Sequence, residues 1–331
     1  MASKAYIYMN YPNVVVLNFY LDVIKEALEG LNYECEYIKG FEGVSKKDLI
    51  VFPMANDAFK YYHKGYRNII LWQQGATGAE SYMRHSSKIR RAILNYMDCF
   101  VMKRAKMILY VSEHMLHYYE KMAGRSFAHK AYLMPCFNEA LVHDMIAQKD
   151  YSQKTFTYVG SLDLWQCFNE TAEIYAEIEK RIPGTFFKVL TFQTDKAKQI
   201  LEEKGIRNYS VACVPKEQVK AELAGCTYGF MIRHDIDVNR VATPTKISSY
   251  LSAGVLPIYS TCLTDFHKQA KGKSFAYPLN PEENIDGLIQ YINDGVDQET
   301  VQKEIEELFG TYYSTEKHAQ QIANMMKTVL K

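Results

Sequence analysis

The chain has 331 residues, of which 48% are hydrophobic and 23% charged, with 17 Gly and 9 Pro. That balance excludes a disordered, collagenous or low-complexity chain, and the length suits about two domains. Lys and Arg number 39 against 38 Asp and Glu, a net charge of +1, which excludes a general polyanion binder: no nucleic-acid partner is expected.

The cysteines, Cys35, Cys99, Cys136, Cys167, Cys213, Cys226 and Cys262, are odd in number and widely spaced, with no C-x-x-C. This argues against a zinc knuckle or a disulfide scaffold and for a reducing, cytoplasmic compartment. No apolar run approaches the ~20 residues of a membrane span. The first residues read as a β-strand, without the basic and long apolar regions of a signal peptide.

Taken in order, Ala5–Met9 reads as a strand, and Asn18–Leu31 as a helix with Phe19, Val23, Ala27, Leu28 and Leu31 on one face. Cys35–Ile38, Leu49–Phe52 and Asn68–Trp72 read as strands. Ser86–Arg104 is predicted helical, Met107–Val111 a strand, Glu113–Met122 a helix and Ala131–Met134 a strand. A polar, aperiodic stretch at Ala147–Lys154 marks a break. The alternation then restarts. Strands are predicted at Phe156–Val159, Phe186–Leu190, Tyr209–Ala212, Tyr228–Ile232 and Val255–Tyr259. Helices are predicted at Glu170–Arg181, Lys196–Lys204, Glu217–Ala224 and Thr245–Ala253, followed by a helical tail at Glu282–Asn293, Gln298–Phe309 and Ser314–Leu330. Short buried strands separated by helices predict an α/β chain of two doubly wound parallel-sheet domains. Ligands of such folds sit at the carboxyl ends of strands.

The densest chemistry lies in Met231–Gly254. Thr243 suits a helix N-cap and Pro244 a first helical turn, so backbone N–H groups near Thr245 and Lys246 would face an anion. Arg233, Arg240 and Lys246 place three cations around this one turn, as a phosphate or diphosphate requires. A capped helix with solvated basic residues is the alternative. Asp235-Ile-Asp237 matches the spacing of a metal-holding D-x-D, but among basic residues it reads rather as a turn. His114 and His117 lie one helical turn apart without a third ligand, and no H-E-x-x-H or Walker sequence occurs.

The same stretch resembles the donor-binding segment of family 4 (group 1) glycosyltransferases of bacterial surface and capsular polysaccharide synthesis. The match is Asn239-Arg-Val-Ala-Thr-Pro-Thr-Lys246 followed by Tyr250-Leu-Ser-Ala-Gly254. Three other pieces resemble the family in order: Gln74-Gly75 with Glu80, Val111-Ser-Glu-His-Met115, and Tyr158-Val-Gly-Ser-Leu-Asp-Leu-Trp-Gln166.

The resemblance implies the GT-B fold: two Rossmann-like domains facing a cleft, with the last helix crossing back onto the first. Residues 1–150 would form the acceptor-binding domain, joined by helix 314–331, and 151–313 the nucleotide-sugar-binding domain. It implies a retaining transfer from a nucleotide-diphosphate sugar to a glycan or lipid-linked acceptor, with no cofactor and no metal. Arg240, Lys246 and Glu80 would be catalytic. Gly160, Ser161, Arg233, Asn239, Thr245, Ser249 and Val214 would bind the donor, and Gln74 and Gly75 would lie on the acceptor side. The sequence departs from the family at Val241 and Ser249, where paired glutamates are common, and at Ser161 and Gln166, where a cation is common. A GT-B sugar-nucleotide epimerase and a non-catalytic GT-B binding partner are the competing readings.

Residues 84–106 carry seven Lys or Arg and one Asp, interleaved with Ile89, Ile93, Leu94 and Tyr96. Such a helix suits peripheral contact with an anionic lipid surface at the inner face of a membrane. A packed domain helix with solvated basic residues reads equally well.

Overall fold

The computed structural model describes residues 3–11 and 16–330. Contacts within the chain divide it into two compact units. One comprises Met1–Asn138, Arg240–Thr243 and Ser314–Lys331, the other Glu139–Asn239 and Pro244–Tyr313.

The first unit carries strands β1 (Ser3–Tyr8), β2 (Tyr33–Ile38), β3 (Leu49–Phe52), β4 (Ile69–Gln73), β5 (Met107–Tyr110) and β6 (Ala131–Leu133). They form one parallel sheet in the order β2-β1-β3-β4-β5-β6. Its helices are α1 (Val16–Glu29), α2 (Ala55–His63), α3 (Thr77–His85), α4 (Lys88–Arg104) and α5 (Glu113–Ala123). The second unit opens with the short α6 (His143–Ala147) and alternates β7 (Thr155–Val159), α7 (Phe168–Arg181), β8 (Phe186–Leu190), α8 (Thr194–Glu203), β9 (Tyr209–Ala212), α9 (Lys216–Ala224) and β10 (Tyr228–Met231). The short α10 (Asp237–Arg240) follows, then α11 (Thr245–Ser252), β11 (Leu256–Tyr259), α12 (Thr264–Ala270), β12 (Tyr277–Pro278), α13 (Asp286–Asp294) and α14 (Gln298–Phe309). The sheet is again parallel, in the order β12-β11-β10-β7-β8-β9. The two doubly wound sheets are those of the GT-B fold expected from the sequence.

Central strands read as unbroken apolar runs, LIVF in β3, MILY in β5 and YGFM in β10, because helices cover both sheet faces. Helix starts follow local capping chemistry. Ser87 accepts the Arg90 N–H, Ser112 the Met115 N–H and Asp297 the Thr300 N–H, each satisfying a donor the helix cannot. The last helix, α15 (Thr315–Val329), packs on α1 in the first unit and buries Ala319, Ile322 and Met326. His318 accompanies them, with Nδ1 2.8 Å from the Tyr132 hydroxyl.

Strand order fixes where a ligand can approach. In the second unit the chain runs from β7 through β8 to β9, then returns to lay β10 on the other side of β7. The loops leaving β7 and β10 therefore part at their carboxyl ends, the crevice where doubly wound sheets take ligands.

Five helices, α2, α3, α6, α10 and α12, were not apparent as such in the sequence, the last three because they span seven residues or fewer. α3 begins at Thr77, soon after β4, and α2 follows β3 directly. Both are nine-residue helices with little buried apolar surface beyond alanine and glycine, so the helical period is faint.

Candidate functional site

The crevice of the second unit is built from three segments: the loop after β7, the loop after β10 and the start of α11. Gly160 leaves β7 at φ +136°, a conformation that favours glycine. The loop then turns through Ser161, whose hydroxyl donates to Asp163 Oδ2 at 3.0 Å. The Ser161 carbonyl accepts from the Tyr158 hydroxyl at 2.6 Å, and the Leu162 N–H donates to Gln193 Oε1 at 2.7 Å. These bonds hold the loop so that Gln166 meets two cations. Lys246 Nζ donates to Gln166 Oε1 at 2.7 Å, and Arg233 Nη1 to the Gln166 carbonyl at 2.8 Å. Arg233 Nη2 also contacts Gln166 Oε1.

Arg233 is only 3% exposed, and its Nη1 reaches the Ile232 carbonyl as well, so its guanidinium is committed to carbonyl oxygens beneath the crevice. Its amide donates to Ser260 Oγ, which donates in turn to the Leu279 carbonyl. Lys246 is half-buried, 5.1 Å from the centre of the Tyr158 ring. Burial, and then the positive charge of Arg233, pull its ammonium pKa well below the usual lysine value. Tyr250, one turn along α11, accepts the Val159 N–H and reaches the Phe230 carbonyl, tying the helix to β7 and β10. Gly229 makes room for it, because a β-carbon there would stand 2.6 Å from the Tyr250 ring.

The remaining donor-side expectations are placed as follows. Asn239 is buried, and its Nδ2 donates to the His234 carbonyl, shaping the loop after β10. Ser249 turns its hydroxyl back to the Thr245 carbonyl at 3.3 Å. Val214 lies half-buried in the loop between β9 and α9. Thr243 does not cap α11: Pro244 occupies that position without a side-chain bond, while Thr243 Oγ1 accepts the Cys136 N–H at 2.8 Å. The hydroxyl fits a cap, but here it is recruited by a half-buried backbone amide three residues past β6. Arg240 ends α10, and the segment Arg240–Thr243 belongs to the first unit, where the Val241 carbonyl accepts from the Ser112 hydroxyl at 2.8 Å.

The loop after β4 is a separate polar cluster within the first unit. The Gly75 carbonyl accepts from Gln73 Nε2 at 2.8 Å and lies 2.9 Å from the Tyr119 hydroxyl. That hydroxyl is also 2.8 Å from Asp98 Oδ2. Glu80, on α3, folds over Gly75, where a β-carbon would overlap its carboxylate. Gln74 reaches back to the Pro53 carbonyl at 3.0 Å. Asp98 is 2% exposed, and burial pushes its carboxyl up to about 7, against the lowering effect of its hydrogen bonds from Tyr119 and Thr77.

On α4, Ile89, Ile93 and Tyr96 are 77%, 54% and 61% exposed and share one face, while Asp98, Cys99, Val101 and Met102 are buried. Lys88 and Arg90 flank the exposed stripe on either side, at about 100° per residue. No helix among the described residues is long and apolar enough to cross a membrane.

Gln166, Tyr158 and Tyr250 were missed as site residues. Gln166 sits where the family resemblance placed a cation and so read as a loss. The tyrosines read as core because their rings are core and only their hydroxyls reach the loop.

This arrangement defines a GT-B protein with a cationic crevice at the sheet switch point. No family model and no curated protein matches the chain. Solved structures do. Sucrose-phosphate synthase of Thermosynechococcus elongatus aligns over 99% of both chains with a TM-score of 0.73 and 12% identity. HepE of Anabaena, solved with UDP and glucose, aligns over 98% of this chain and 100% of its own at 0.68 and 10% identity. The lipopolysaccharide outer core galactosyltransferase WaaB aligns over 98% and 99% at 0.61 and 12% identity. At such identities the likeness is one of fold.

Proposed function

We propose that the protein is a retaining glycosyltransferase of the family 4 type. It would move a sugar from a nucleotide-diphosphate sugar to a glycan or lipid-linked acceptor in bacterial surface polysaccharide synthesis. One observation carries the reading: Lys246 and Arg233 converge on Gln166 at the carboxyl ends of β7 and β10. A diphosphate leaving a sugar gains negative charge, and preformed positive groups at that point lower the barrier. Lys246 would meet the phosphate, Arg233 would add its field from beneath, and the backbone at Gly160 and Thr245 would complete the cradle. Arg240 is assigned the same role toward the leaving group. UDP is the favoured nucleotide because HepE was solved with UDP and glucose. The reading gives the transfer step no metal.

Gln74, Gly75 and Glu80 are assigned to the acceptor. The exposed stripe of α4, flanked by Lys88 and Arg90, suits an anionic lipid surface at the inner face of the membrane, where a lipid-linked acceptor resides. A non-catalytic nucleotide-binding partner is the second reading; it is favoured by Ser249, a hydroxyl bonded to its own helix where a ribose-holding carboxylate is common.

The test is nucleotide release from UDP-, GDP- and dTDP-sugars, with and without membrane extract. Lys246→Ala and Arg240→Ala are each expected to lower turnover by ~10²–10³. Absence of release together with absence of any nucleotide-induced thermal shift would overturn the proposal. Binding without release in every condition would favour the partner protein.

A further inference from the structure

Directly behind the Gln166–Arg233 contact lies a second cluster that the transfer reading does not use. The residues following those two in sequence, Cys167 and His234, meet there with Glu170 from the first turn of α7. Cys167 Sγ, a Glu170 carboxylate oxygen and an imidazole nitrogen of His234 all lie within 4.8 Å of one another. His234 Nε2 is 2.5 Å from Glu170 Oε1. The His234 amide donates to Cys167 Sγ at 3.4 Å, fixing the sulfur against the loop after β10. Cys167 is buried, whereas the side chains of Glu170 and His234 are 28% and 43% exposed, leaving an entry from solvent.

We propose that Cys167, Glu170 and His234 form a binding site for a zinc ion that joins the loop after β7 to the loop after β10. The donor set selects the ion. A thiolate disfavours magnesium and calcium, which take oxygen ligands, whereas sulfur, imidazole and carboxylate together suit zinc. Three protein ligands leave a fourth tetrahedral position for water. Zinc bonds of about 2.0–2.3 Å place neighbouring ligand atoms roughly 3.3–3.7 Å apart. The cluster needs only modest adjustment to reach this: Glu170 and His234 part by under about 1 Å and the sulfur closes by at most about 1.3 Å.

The protons balance. Zinc displaces the thiol hydrogen of Cys167 to solvent. Neutral His234 binds through Nε2 with its hydrogen on Nδ1, and Glu170 binds as the carboxylate. The ion lies outside the transfer step and makes no demand on it. It clamps the peptides that carry Gln166 and Arg233, so it stiffens the cationic crevice from behind. Cysteine spacing concealed the site because its ligands come from a helix start and a loop 64 residues further on.

The experiment uses the full chain and needs no assay of transfer. Purified protein is loaded with Zn²⁺, dialysed and analysed for metal, and in parallel loaded with Co²⁺ for absorption spectra. About one zinc per chain is expected, with a near-ultraviolet sulfur-to-cobalt charge-transfer band and tetrahedral visible bands. Cys167→Gly, which relieves the φ of +53° at this position, should abolish the sulfur band. His234→Gln and Glu170→Gln should each weaken zinc binding at least tenfold. A zinc content below about a tenth, a cobalt spectrum without the sulfur band, or unchanged affinity in Cys167→Gly would each overturn the site and leave a His–Glu hydrogen bond beside an ordinary buried thiol.

Discussion

Lys246 crosses Gly160 so closely that a β-carbon on Gly160 would stand 2.6 Å from Lys246 Cε and overlap its Nζ. The glycine thus serves two ends: it adopts a φ of +136° and it leaves the ammonium its place over the loop. Gly160→Ala should therefore weaken nucleotide binding at least tenfold in a titration by calorimetry. Gly184→Ala is a control for replacing a positive-φ glycine with nothing within 4 Å of the new atom, at φ +79° rather than the costlier +136° of Gly160. Equal affinities in the two variants would show that Lys246 tolerates displacement.

Proton linkage offers a second measurement. Burial and Arg233 hold the free Lys246 pKa well below the ordinary lysine value, and a bound diphosphate would raise it again. A pKa higher in the bound than in the free state means proton uptake on binding, so affinity rises as pH falls from the bound-state value towards the free-state value and levels off below it. Calorimetry of UDP binding in buffers of different ionisation heat should report that uptake. Lys246→Arg, whose charge is permanent, should lose it.

Gln166 separates architecture from charge. Gln166→Glu keeps an acceptor at the position of Oε1 for Lys246 and Arg233 but neutralises part of their charge. Thermal stability should hold or rise, while UDP affinity falls by tenfold or more, about 1.4 kcal/mol. A parallel fall in stability and affinity would assign Gln166 to packing alone.

Asp98 gives the first unit a pH signature. Its folded pKa of about 7 stands above the unfolded value near 3.8, so the native state holds the proton more tightly. The stabilisation is complete below pH ~4 and declines as pH rises to about 7, above which both states are ionised and the difference is constant. Asp98→Asn should leave the melting temperature at pH 5 little changed and raise it relative to the parent at pH 8. A constant difference between the two proteins across this range would refute the linkage.

The α4 stripe is tested with vesicles. Ile89→Ser with Ile93→Ser should release the protein from vesicles rich in anionic lipid, and Lys88→Ala with Arg90→Ala should weaken that binding by roughly fivefold per residue, at about 1 kcal/mol each. Turnover on a soluble acceptor should be unaffected. Sedimentation unchanged in both variants would return α4 to the status of a solvated domain helix.

Much of this was legible in the sequence. LIVF at Leu49–Phe52 was readable to the residue, because a strand buried on both faces is short and uninterrupted. Arg233 and Lys246 were visible as neighbouring cations in Met231–Gly254 and do meet at Gln166, though their unequal roles were not visible. Arg233 turns inward to carbonyls, a choice made by the loop after β7, about 70 residues earlier in the chain. Likewise Thr243 has the chemistry of a cap and was drawn instead to Cys136, a partner 107 residues away. Local rules read local bonds; the crevice is assembled from distant ones.

The chain visits the first unit three separate times, at residues 1–138, 240–243 and 314–331. During synthesis the first unit is therefore begun first, with all six of its strands, and completed last. Until residues 315–329 follow, α1 lacks the cover of Ala319, Ile322 and Met326, the last two each worth about 1.5–3 kcal/mol when buried. The Ser112 hydroxyl waits in the same way for the Val241 carbonyl. A nascent chain arrested after residue 138 should hold all six strands of the first sheet but lack the cover of α15, and so remain more open to protease than the full chain.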